Sequence, residues 1–257
     1  MWNPAPWSAA PTMLQQHNTD WNNIPVAIGF DDMLENLLIK ARDARWVWDL
    51  FGPIYNRQIS NALSELYEHI AWSTQMDGAS QILDVGAGPG YALLLLAARC
   101  PAASLLGLDY SATQVRAAER QRKQEGILNC RFEQGNAMHL SFANNRFDAV
   151  MTIGSIKHWP DPRQGIAEIH RVLAPGRWAV ISETDRDAAE EDLRRFTERF
   201  TAWFLWDPLL YWGLRHIVFG RSFSEQEIVS LARSAGFRKV RTERLGSCPY
   251  VIVRAQK

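Results

Sequence analysis

The feature that most constrains this chain is a glycine-rich turn between an apolar strand pattern and an apolar helix pattern. Residues 82–85 read Ile-Leu-Asp-Val, residues 86–90 read Gly-Ala-Gly-Pro-Gly, and residues 91–98 contain no charge. Glycine permits a tight reversal of the backbone and lets a ligand approach without a Cβ in its way. The segment therefore predicts a strand, a ligand-binding loop and a helix in succession.

Strand and helix patterns alternate after this turn. We predict strands over residues 81–85, 105–108, 129–133, 147–153 and 178–182. We predict helices over residues 91–99, 112–125 and 162–173, and a turn at residues 175–176. Alternation at this spacing is typical of a parallel sheet with helices on both faces.

The end of the chain has a different pattern. Ser224 and Glu227 form a capping box that predicts the start of a helix, which ends near Gly236. Residues 239–244 and 250–253 predict an antiparallel hairpin. The expected fold is therefore α/β: a doubly wound, mostly parallel, seven-stranded Rossmann-like sheet that ends in an antiparallel hairpin and carries helical cap elements.

Two carboxylates indicate which ligand the glycine turn binds. Asp84 precedes the turn, where its charge would repel a pyrophosphate and attract a cation. Asp109 ends the second strand, where a carboxylate can accept hydrogen bonds from both hydroxyls of a ribose. The dinucleotide-binding pattern also requires a glycine where Tyr91 stands. The pattern favours a cationic nucleoside over a dinucleotide.

These segments resemble the class I S-adenosylmethionine-dependent methyltransferases, and most of all the small-molecule branch that includes quinone-biosynthesis C-methyltransferases. The motifs that carry the resemblance lie at residues 83–90, 107–111, 135–138, 147–150, 156–161 and 171–176. The resemblance implies S-adenosyl-L-methionine as the cofactor and methyl transfer by in-line displacement to oxygen, nitrogen or carbon of a small molecule.

The resemblance also implies which residues bind the cofactor. They are Asp84, Gly86, Ala87, Gly88, Gly90, Asp109, Tyr110, Asn136, Ala137, Met138, Thr152 and Ile153. In the family, the glycine turn and the end of the fourth strand contact the methionine portion, Asp84 lies near its ammonium group, and Asp109 holds the ribose. Residues 136–138 would contact the adenine, although Asn136 stands where the family commonly has Asp.

Two residues near the carboxyl edge of the sheet are candidates for acceptor chemistry. His158 follows the fourth strand and is the candidate general base, with a role in holding the loop as the alternative. In family terms it is the second position of a His-His pair whose first position is Lys157 here. Glu183 ends the fifth strand and could bind an amine or act as a base, but its position favours a solvated strand-end carboxylate.

Aromatic residues predict where an acceptor would bind. None of the eleven tryptophans lies between Ser73 and His158, so they are concentrated outside the cofactor-binding segment. Aromatic residues at helical spacing are typical of a packing face, but similar methyltransferases close such segments over the acceptor. The predicted acceptor-binding residues are Trp46, Trp48, Tyr55, His158, Glu183, Trp203, Trp206, Tyr211 and Trp212. Such a pocket suits a flat, largely apolar or aromatic metabolite.

The predicted organisation has three parts. Residues 1–77 form an N-terminal arm and helical lid, with helix patterns near residues 31–41 and 59–70. Residues 78–257 form the S-adenosylmethionine-binding methyltransferase domain. Within that domain, residues 186–222 are a substrate-cap insertion.

Charge and cysteine content exclude several classes of function. The chain has 28 basic and 28 acidic residues, without the basic excess typical of nucleic-acid binding. Cys100, Cys130 and Cys248 form no Cys-x-x-Cys pair, and the histidines show no metal-binding spacing. Together with the absence of a basic signal segment or a membrane-length apolar run, this predicts a cytoplasmic protein with no metal, no nucleic-acid partner and no membrane span.

Three alternatives to this function remain open. The protein could be a non-catalytic regulator that binds S-adenosylmethionine or S-adenosylhomocysteine. It could methylate a protein, or it could be a nicotinamide-dependent oxidoreductase, which Tyr91 disfavours. The sequence leaves the oligomeric state undetermined.

Overall fold

A computed structural model describes residues 58–73, 78–199, 222–246 and 248–257. Most of the predicted arm and lid, and residues 200–221 of the predicted insertion, lie outside these ranges. The helices are α1 (Ser64–Ala71), α2 (Tyr91–Arg99), α3 (Ala112–Gln124), α4 (Pro162–Val172), α5 (Glu190–Glu198) and α6 (Glu225–Ser234). The strands are β1 (Gln81–Val85), β2 (Ser104–Asp109), β3 (Cys130–Gln134), β4 (Phe147–Ile153), β5 (Leu173–Thr184), β6 (Lys239–Arg244) and β7 (Tyr250–Gln256).

All seven strands form one sheet in the order β3-β2-β1-β4-β5-β7-β6. Strands β1 to β5 are parallel, whereas β7 pairs antiparallel with both β5 and β6. The predicted mostly parallel sheet with a terminal hairpin is confirmed. The chain reverses its direction of strand addition between β1 and β4, and ligands of such sheets bind at the carboxyl ends of the strands at this switch point.

Apolar residues on the two faces of the sheet form two core clusters. On one face Ile82 of β1 packs in a cluster that includes residues of α1 and α2. On the other face Leu83 and Val85 pack in a cluster that includes residues of α4 and α6. Central strands buried on both faces have nearly continuous apolar sequences, which explains why β1 and β4 begin and end at the predicted residues.

The start of β5 corrects the prediction for this strand. The sequence predicts a strand over residues 178–182 after a turn at residues 175–176, but β5 spans Leu173–Thr184. Leu173 already pairs with Phe147, and the register then shifts so that Trp178 pairs with Ala149. The predicted turn is therefore an irregularity inside the strand, where Gly176 has a φ of 75°.

Side-chain caps are present at the starts of α3 and α6, and the second is the predicted capping box. The Ser111 side chain accepts a hydrogen bond from the Gln114 amide at the start of α3. At α6 both halves of the capping box between Ser224 and Glu227 are formed. A cap satisfies amides that a helix leaves unpaired in its first turn, so these serines set where the two helices begin.

Candidate cofactor and acceptor site

The glycine turn lies at the switch point, and its own contacts use every amide in residues 86–90. The Gly86 and Ala87 amides both donate to Leu108 O at 2.8 Å. The Gly88 amide donates to Asp109 Oδ2 at 2.8 Å, and the Gly90 amide donates to Ala87 O at 3.0 Å. Proline 89 has no N–H. A phosphate-binding loop instead presents free N–H groups, so this turn suits a ligand that donates hydrogen bonds.

The three glycines of the turn are required for different reasons. A Cβ at Gly86 would lie 2.2 Å from Ser155 Oγ, and one at Gly90 would lie 2.5 Å from Phe132 Cζ. Gly88 has a φ of 54°, and a Cβ there would have nothing within 4 Å. Gly86 and Gly90 therefore permit packing of the chain on itself, whereas Gly88 faces open space that a ligand can occupy.

Asp84 carries a buried carboxyl group that has no counter-charge among the described residues. The residue is only 3 % exposed, and its Oδ1 has no hydrogen-bond partner among the described residues. Burial, and then the nearby charge of Asp109, raise the pKa of Asp84 to about 8. Leaving a buried carboxylate unpaired is costly, so the position suits a cationic or hydrogen-bond-donating ligand.

Asp109 is held in place at the end of β2 by two backbone hydrogen bonds. Oδ2 accepts from the Gly88 amide and Oδ1 accepts from the Ser111 amide, each at 2.8 Å. Burial raises the pKa of Asp109, and these two bonds oppose that rise. A carboxylate has about four acceptor sites, so each oxygen can still accept a hydrogen bond from a ligand. Its neighbour Tyr110 is exposed.

The segment after β3 is fixed beside Asp109. The Gly135 amide donates to Asp109 O at 3.0 Å, and the Met138 amide donates to Asn136 Oδ1 at 3.0 Å. Asn136 is exposed, while Ala137 and Met138 are partly buried. The Asn136 side-chain oxygen, which the resemblance would place near the adenine, therefore already accepts one hydrogen bond from the turn that follows it.

The end of β4 packs directly on the glycine turn. Thr152 is fully buried, and its Oγ1 lies 3.0 Å from Ser155 Oγ. Ser155 Oγ in turn donates to Val85 O at 3.3 Å. These contacts bring Thr152 and the partly buried Ile153 beside Gly86.

A buried ion pair lies next along this edge, between the ends of β4 and β5. Lys157 Nζ and Glu183 Oε1 are 2.7 Å apart, with the side chains 4 % and 0 % exposed. The prediction of a solvated Glu183 is therefore wrong, because β5 and the β4–α4 loop enclose the carboxylate. Lys157 was not predicted as a site residue. Its substitution for the family's usual histidine was the one signal that could have identified it.

Two further residues, His158 and Ser222, lie close to the ion pair. His158 lies beside Lys157 in a short 3₁₀ turn, Ile156–His158, and is exposed. Ser222, where the described chain resumes after residues 200–221, hydrogen-bonds to Thr184 through its hydroxyl. The predicted cap insertion therefore rejoins the sheet one residue from Glu183.

Comparison with known proteins gives the same assignment as the geometry. Residues 82–176 match a family described as a methyltransferase domain. The chain is 29% identical over 227 residues to a demethylmenaquinone methyltransferase of Lactiplantibacillus plantarum, covering 77% of this chain and 89% of that protein. A methyltransferase structure from Aquifex aeolicus superimposes with a TM-score of 0.54 at 16% identity, covering 84% of this chain and 95% of the other. Residues 82–176 are therefore a methyltransferase domain, in a chain with the fold of class I S-adenosylmethionine-dependent methyltransferases.

A plant protein shows how far the similarity extends. The methyltransferase domain is 28% identical over 201 residues to the chloroplastic 2-methyl-6-phytyl-1,4-hydroquinone methyltransferase 2 of Oryza sativa subsp. japonica. The match covers 72% of this chain and 51% of the plant protein. The chain therefore spans about half the length of that relative.

The fold brings most of the predicted cofactor residues of the methyltransferase domain to one edge. Asp84, the glycine turn, Asp109 and the ends of β3 and β4 all lie at the carboxyl ends of neighbouring strands. The predicted aromatic residues of the acceptor pocket lie outside the described residues: Trp46, Trp48, Tyr55, Trp203, Trp206, Tyr211 and Trp212.

The described ranges contain neither a metal-binding cluster nor a membrane-spanning helix. No group of three or more His, Cys, Asp or Glu residues there could hold a metal ion. Within the same ranges, no helix is both long enough and apolar enough to cross a bilayer. Cys100, Cys130 and Cys248 are free thiols.

Proposed function

We propose that this methyltransferase transfers a methyl group from S-adenosylmethionine to a ring carbon of a quinol, an aromatic ring that carries hydroxyl groups. The observation that carries the proposal is the similarity to two proteins named for acting on demethylmenaquinone and on a 1,4-hydroquinone. The acceptors in both names contain a quinone or hydroquinone ring. The first of these similarities extends over most of both chains.

We assign the cofactor to the edge that the glycine turn occupies. Asp84 would accept a hydrogen bond from the ammonium group, which its unpaired buried oxygen supports. Asp109 would accept hydrogen bonds from the ribose, which its fixed orientation supports. The remaining proposed contacts are Gly86, Ala87, Gly88, Gly90, Tyr110, Asn136, Ala137, Met138, Thr152 and Ile153.

The chain contributes mainly alignment to this reaction. S-adenosylmethionine supplies a methyl group that its sulfonium has already activated. Holding two reactants in line can contribute roughly 7–11 kcal/mol of barrier reduction in favourable cases. Methylation of a ring carbon releases one proton from that carbon. We propose that the His158 imidazole accepts it, since His158 lies exposed at the same edge.

The proposed acceptor pocket combines this edge with the cap elements. His158 and Glu183 lie at the ends of β4 and β5, and Ser222 connects residues 200–221 to Thr184. We propose that the arm and lid (residues 1–77) and the insertion (residues 186–222) cover the ring through Trp46, Trp48, Tyr55, Trp203, Trp206, Tyr211 and Trp212. Aromatic and apolar surfaces of this kind suit a flat acceptor.

We also propose that the enzyme works in a reducing compartment such as the cytoplasm. The free thiol of the partly exposed Cys100 supports this, because such a cysteine persists where thiols are kept reduced. Alkylation of the protein with a mass-tagged thiol reagent directly in lysed cells tests it. Labelling of all three cysteines after denaturation is expected, and a disulfide-linked pair would contradict it.

Methylation of a quinol probe tests the proposed function. The purified protein would be incubated with S-adenosylmethionine and 1,4-naphthohydroquinone, kept reduced under argon, and the product identified by mass spectrometry and NMR. We expect one methyl group on a ring carbon and little reaction with the oxidised naphthoquinone, whose ring is a poor nucleophile. Binding of S-adenosylhomocysteine without methylation of this or other small acceptors would favour a non-catalytic regulator instead.

A further inference from the structure

The Lys157–Glu183 pair is the most deeply buried ion pair among the described residues, and its two members are satisfied unequally. Glu183 accepts hydrogen bonds from Lys157 Nζ and from the Thr184 amide, both at 2.7 Å. It also accepts from the Lys157 amide at 3.2 Å and from Thr184 Oγ1 at 3.1 Å. Three of these bonds end on Oε1 and one on Oε2, so the carboxylate is held in one orientation.

The Lys157 ammonium can donate further hydrogen bonds. Of its three N–H donors, one is directed to Glu183, and the only other described contact is to Thr184 Oγ1 at 3.5 Å. That distance is long for a hydrogen bond. Among the described residues, no other acceptor lies within hydrogen-bond distance of Nζ, although the side chain is only 4 % exposed to water.

A buried pair of this kind is a poor way to stabilise a fold. Removing two charges from water costs free energy, and apolar residues of similar size often replace such a pair without loss of stability. Placement of the pair at this edge therefore favours a role in recognition over one in folding.

The position of Lys157 fits recognition of the acceptor. Lys157 is two residues from Ser155, whose hydroxyl contacts the glycine turn, so the two Cα atoms are at most about 7 Å apart. On its other side, Thr184 bonds to Ser222, where the insertion rejoins the sheet. Lys157 thus lies between Ser155, which contacts the glycine turn, and Thr184, which bonds to Ser222.

We infer that Lys157 binds a hydroxyl oxygen of the acceptor ring as an oxyanion, and that Glu183 is a positioning residue that aims the ammonium. This rests on the proposed function for the identity of the acceptor. When the acceptor hydroxyl ionises, its proton leaves to water and Lys157 keeps its three protons and donates one hydrogen bond. The negative oxygen pushes electron density into the ring and makes the neighbouring carbon more nucleophilic.

Binding of 2-naphthol, a phenol that the enzyme cannot oxidise or reduce, tests the inference without methyl transfer. The full chain would be loaded with S-adenosylhomocysteine, and the near-ultraviolet absorbance of the naphthol and its anion would report binding and ionisation. Because Lys157→Met alone strands a buried carboxylate, the main variant is Lys157→Met/Glu183→Met. We expect this variant to remain folded, with a lower unfolding temperature because the Lys157 and Thr184 amides lose an acceptor, and to bind the anion roughly 10- to 100-fold more weakly. The pKa of the bound naphthol should be about one to two units higher in the variant than in the wild type.

A second ion pair provides a matched control. Arg254 and Glu243 pair between β7 and β6, and Arg254 is opposite Val180, three residues or about 10 Å from Glu183 along β5. Arg254→Met/Glu243→Met should bind naphthol as the wild type does. If Lys157→Met/Glu183→Met also bound and ionised naphthol like the wild type, the pair would be structural and the inference overturned. Failure of quinol methylation by a wild type that still shows the Lys157-dependent anion binding would instead refute only the proposed acceptor.

Discussion

The two carboxylates Asp84 and Glu183 lie near the carboxyl ends of β1 and β5, and both are buried, but their surroundings differ. Glu183 accepts hydrogen bonds from four donors, one of them the Lys157 ammonium. Asp84 has an oxygen with no partner among the described residues, and its pKa is raised to about 8. Among the described residues, Glu183 therefore has a cationic partner and Asp84 has none.

Glu183 has its hydrogen-bond partners within the chain, whereas Asp84 has an oxygen that a ligand could still bind. A buried charge without a partner costs stability, so it persists where a ligand supplies the missing partner. The glycine turn also leaves room for a ligand. The amides of residues 86–88 donate to Leu108 and Asp109, and the space beside Gly88 is open. We expect the cofactor edge to respond to ligand and pH more strongly than the Lys157–Glu183 edge does.

The largest expected effect is that of Asp109→Ala on cofactor affinity. The substitution removes two charge-assisted hydrogen bonds to the ribose hydroxyls, each worth about 1.5–3 kcal/mol. We expect S-adenosylhomocysteine to bind roughly 10²- to 10⁴-fold more weakly by calorimetry.

Asp148→Ala is the control for this substitution. Asp148 Oδ2 also accepts two backbone hydrogen bonds, from the Ser80 and Gln81 amides, but at the opposite end of the strands. Both variants should lose stability, and only Asp109→Ala should lose affinity. If the two variants bound S-adenosylhomocysteine equally well, the assignment of Asp109 to the cofactor would be wrong.

A comparison of two glycines should give the next largest effect. Gly88 and Gly126 both have positive φ, and neither has an atom within 4 Å of an added Cβ. Alanine at either position should therefore cost the same, about 1–2 kcal/mol, in the free energy of unfolding. Only Gly88→Ala should also reduce S-adenosylhomocysteine affinity, by roughly 10- to 100-fold, because its methyl group enters the cofactor space.

Unequal stability of these two variants, or equal cofactor binding, would contradict this account of Gly88. Gly90→Ala gives a third result to compare. Its Cβ would lie 2.5 Å from Phe132 Cζ, so it should be less stable than either variant. Thermal unfolding and calorimetry on all three proteins separate the costs of backbone strain, packing and lost cofactor space.

The same contrast explains how much could be predicted from the sequence. The fold and the cofactor edge depend on local signals: apolar runs bounded by turns, and a glycine turn that fixes the spacing of Asp84 and the following helix. The Lys157–Glu183 contact joins residues 26 positions apart. The contact forms because β4 and β5 are neighbours in the sheet. The residues next to Glu183 in the sequence do not indicate that its carboxylate contacts a lysine.

The start of β5 could not be predicted for a related reason. Pro175 and Gly176 are strong turn signals, and the local pattern gives no hint that Leu173 already pairs with Phe147 on the neighbouring strand. Tertiary pairing overrides the local signal there. Within β4 and β1, by contrast, local pattern and pairing agree, and the predicted bounds coincide with the observed ones.

The smallest expected effect is the pH dependence that Asp84 gives to cofactor binding. The carboxyl is protonated in the ligand-free protein below its pKa of about 8, whereas the ordinary value is 3.8. Between these values the folded chain holds a proton that the unfolded chain has released, so Asp84 makes the ligand-free protein less stable as the pH rises through this window. Binding an ammonium group favours the ionised carboxylate. Affinity for S-adenosylhomocysteine should therefore increase as the pH rises towards 8, by up to about tenfold per pH unit.

Calorimetry in buffers with different ionisation enthalpies measures the proton directly. At neutral pH the wild type should release up to about one proton on binding S-adenosylhomocysteine, and Asp84→Asn should release close to none. Asp84→Asn should also lose the pH-dependent part of the unfolding free energy, because an amide does not titrate. Glu183→Gln is the comparison variant: it changes the other buried carboxyl group, which contacts Lys157, and it should give the same proton release on cofactor binding as the wild type. Equal proton release from the Asp84→Asn protein and the wild type would show that the ligand's charge is compensated elsewhere, and the contrast between the two buried carboxylates would then have no bearing on cofactor binding.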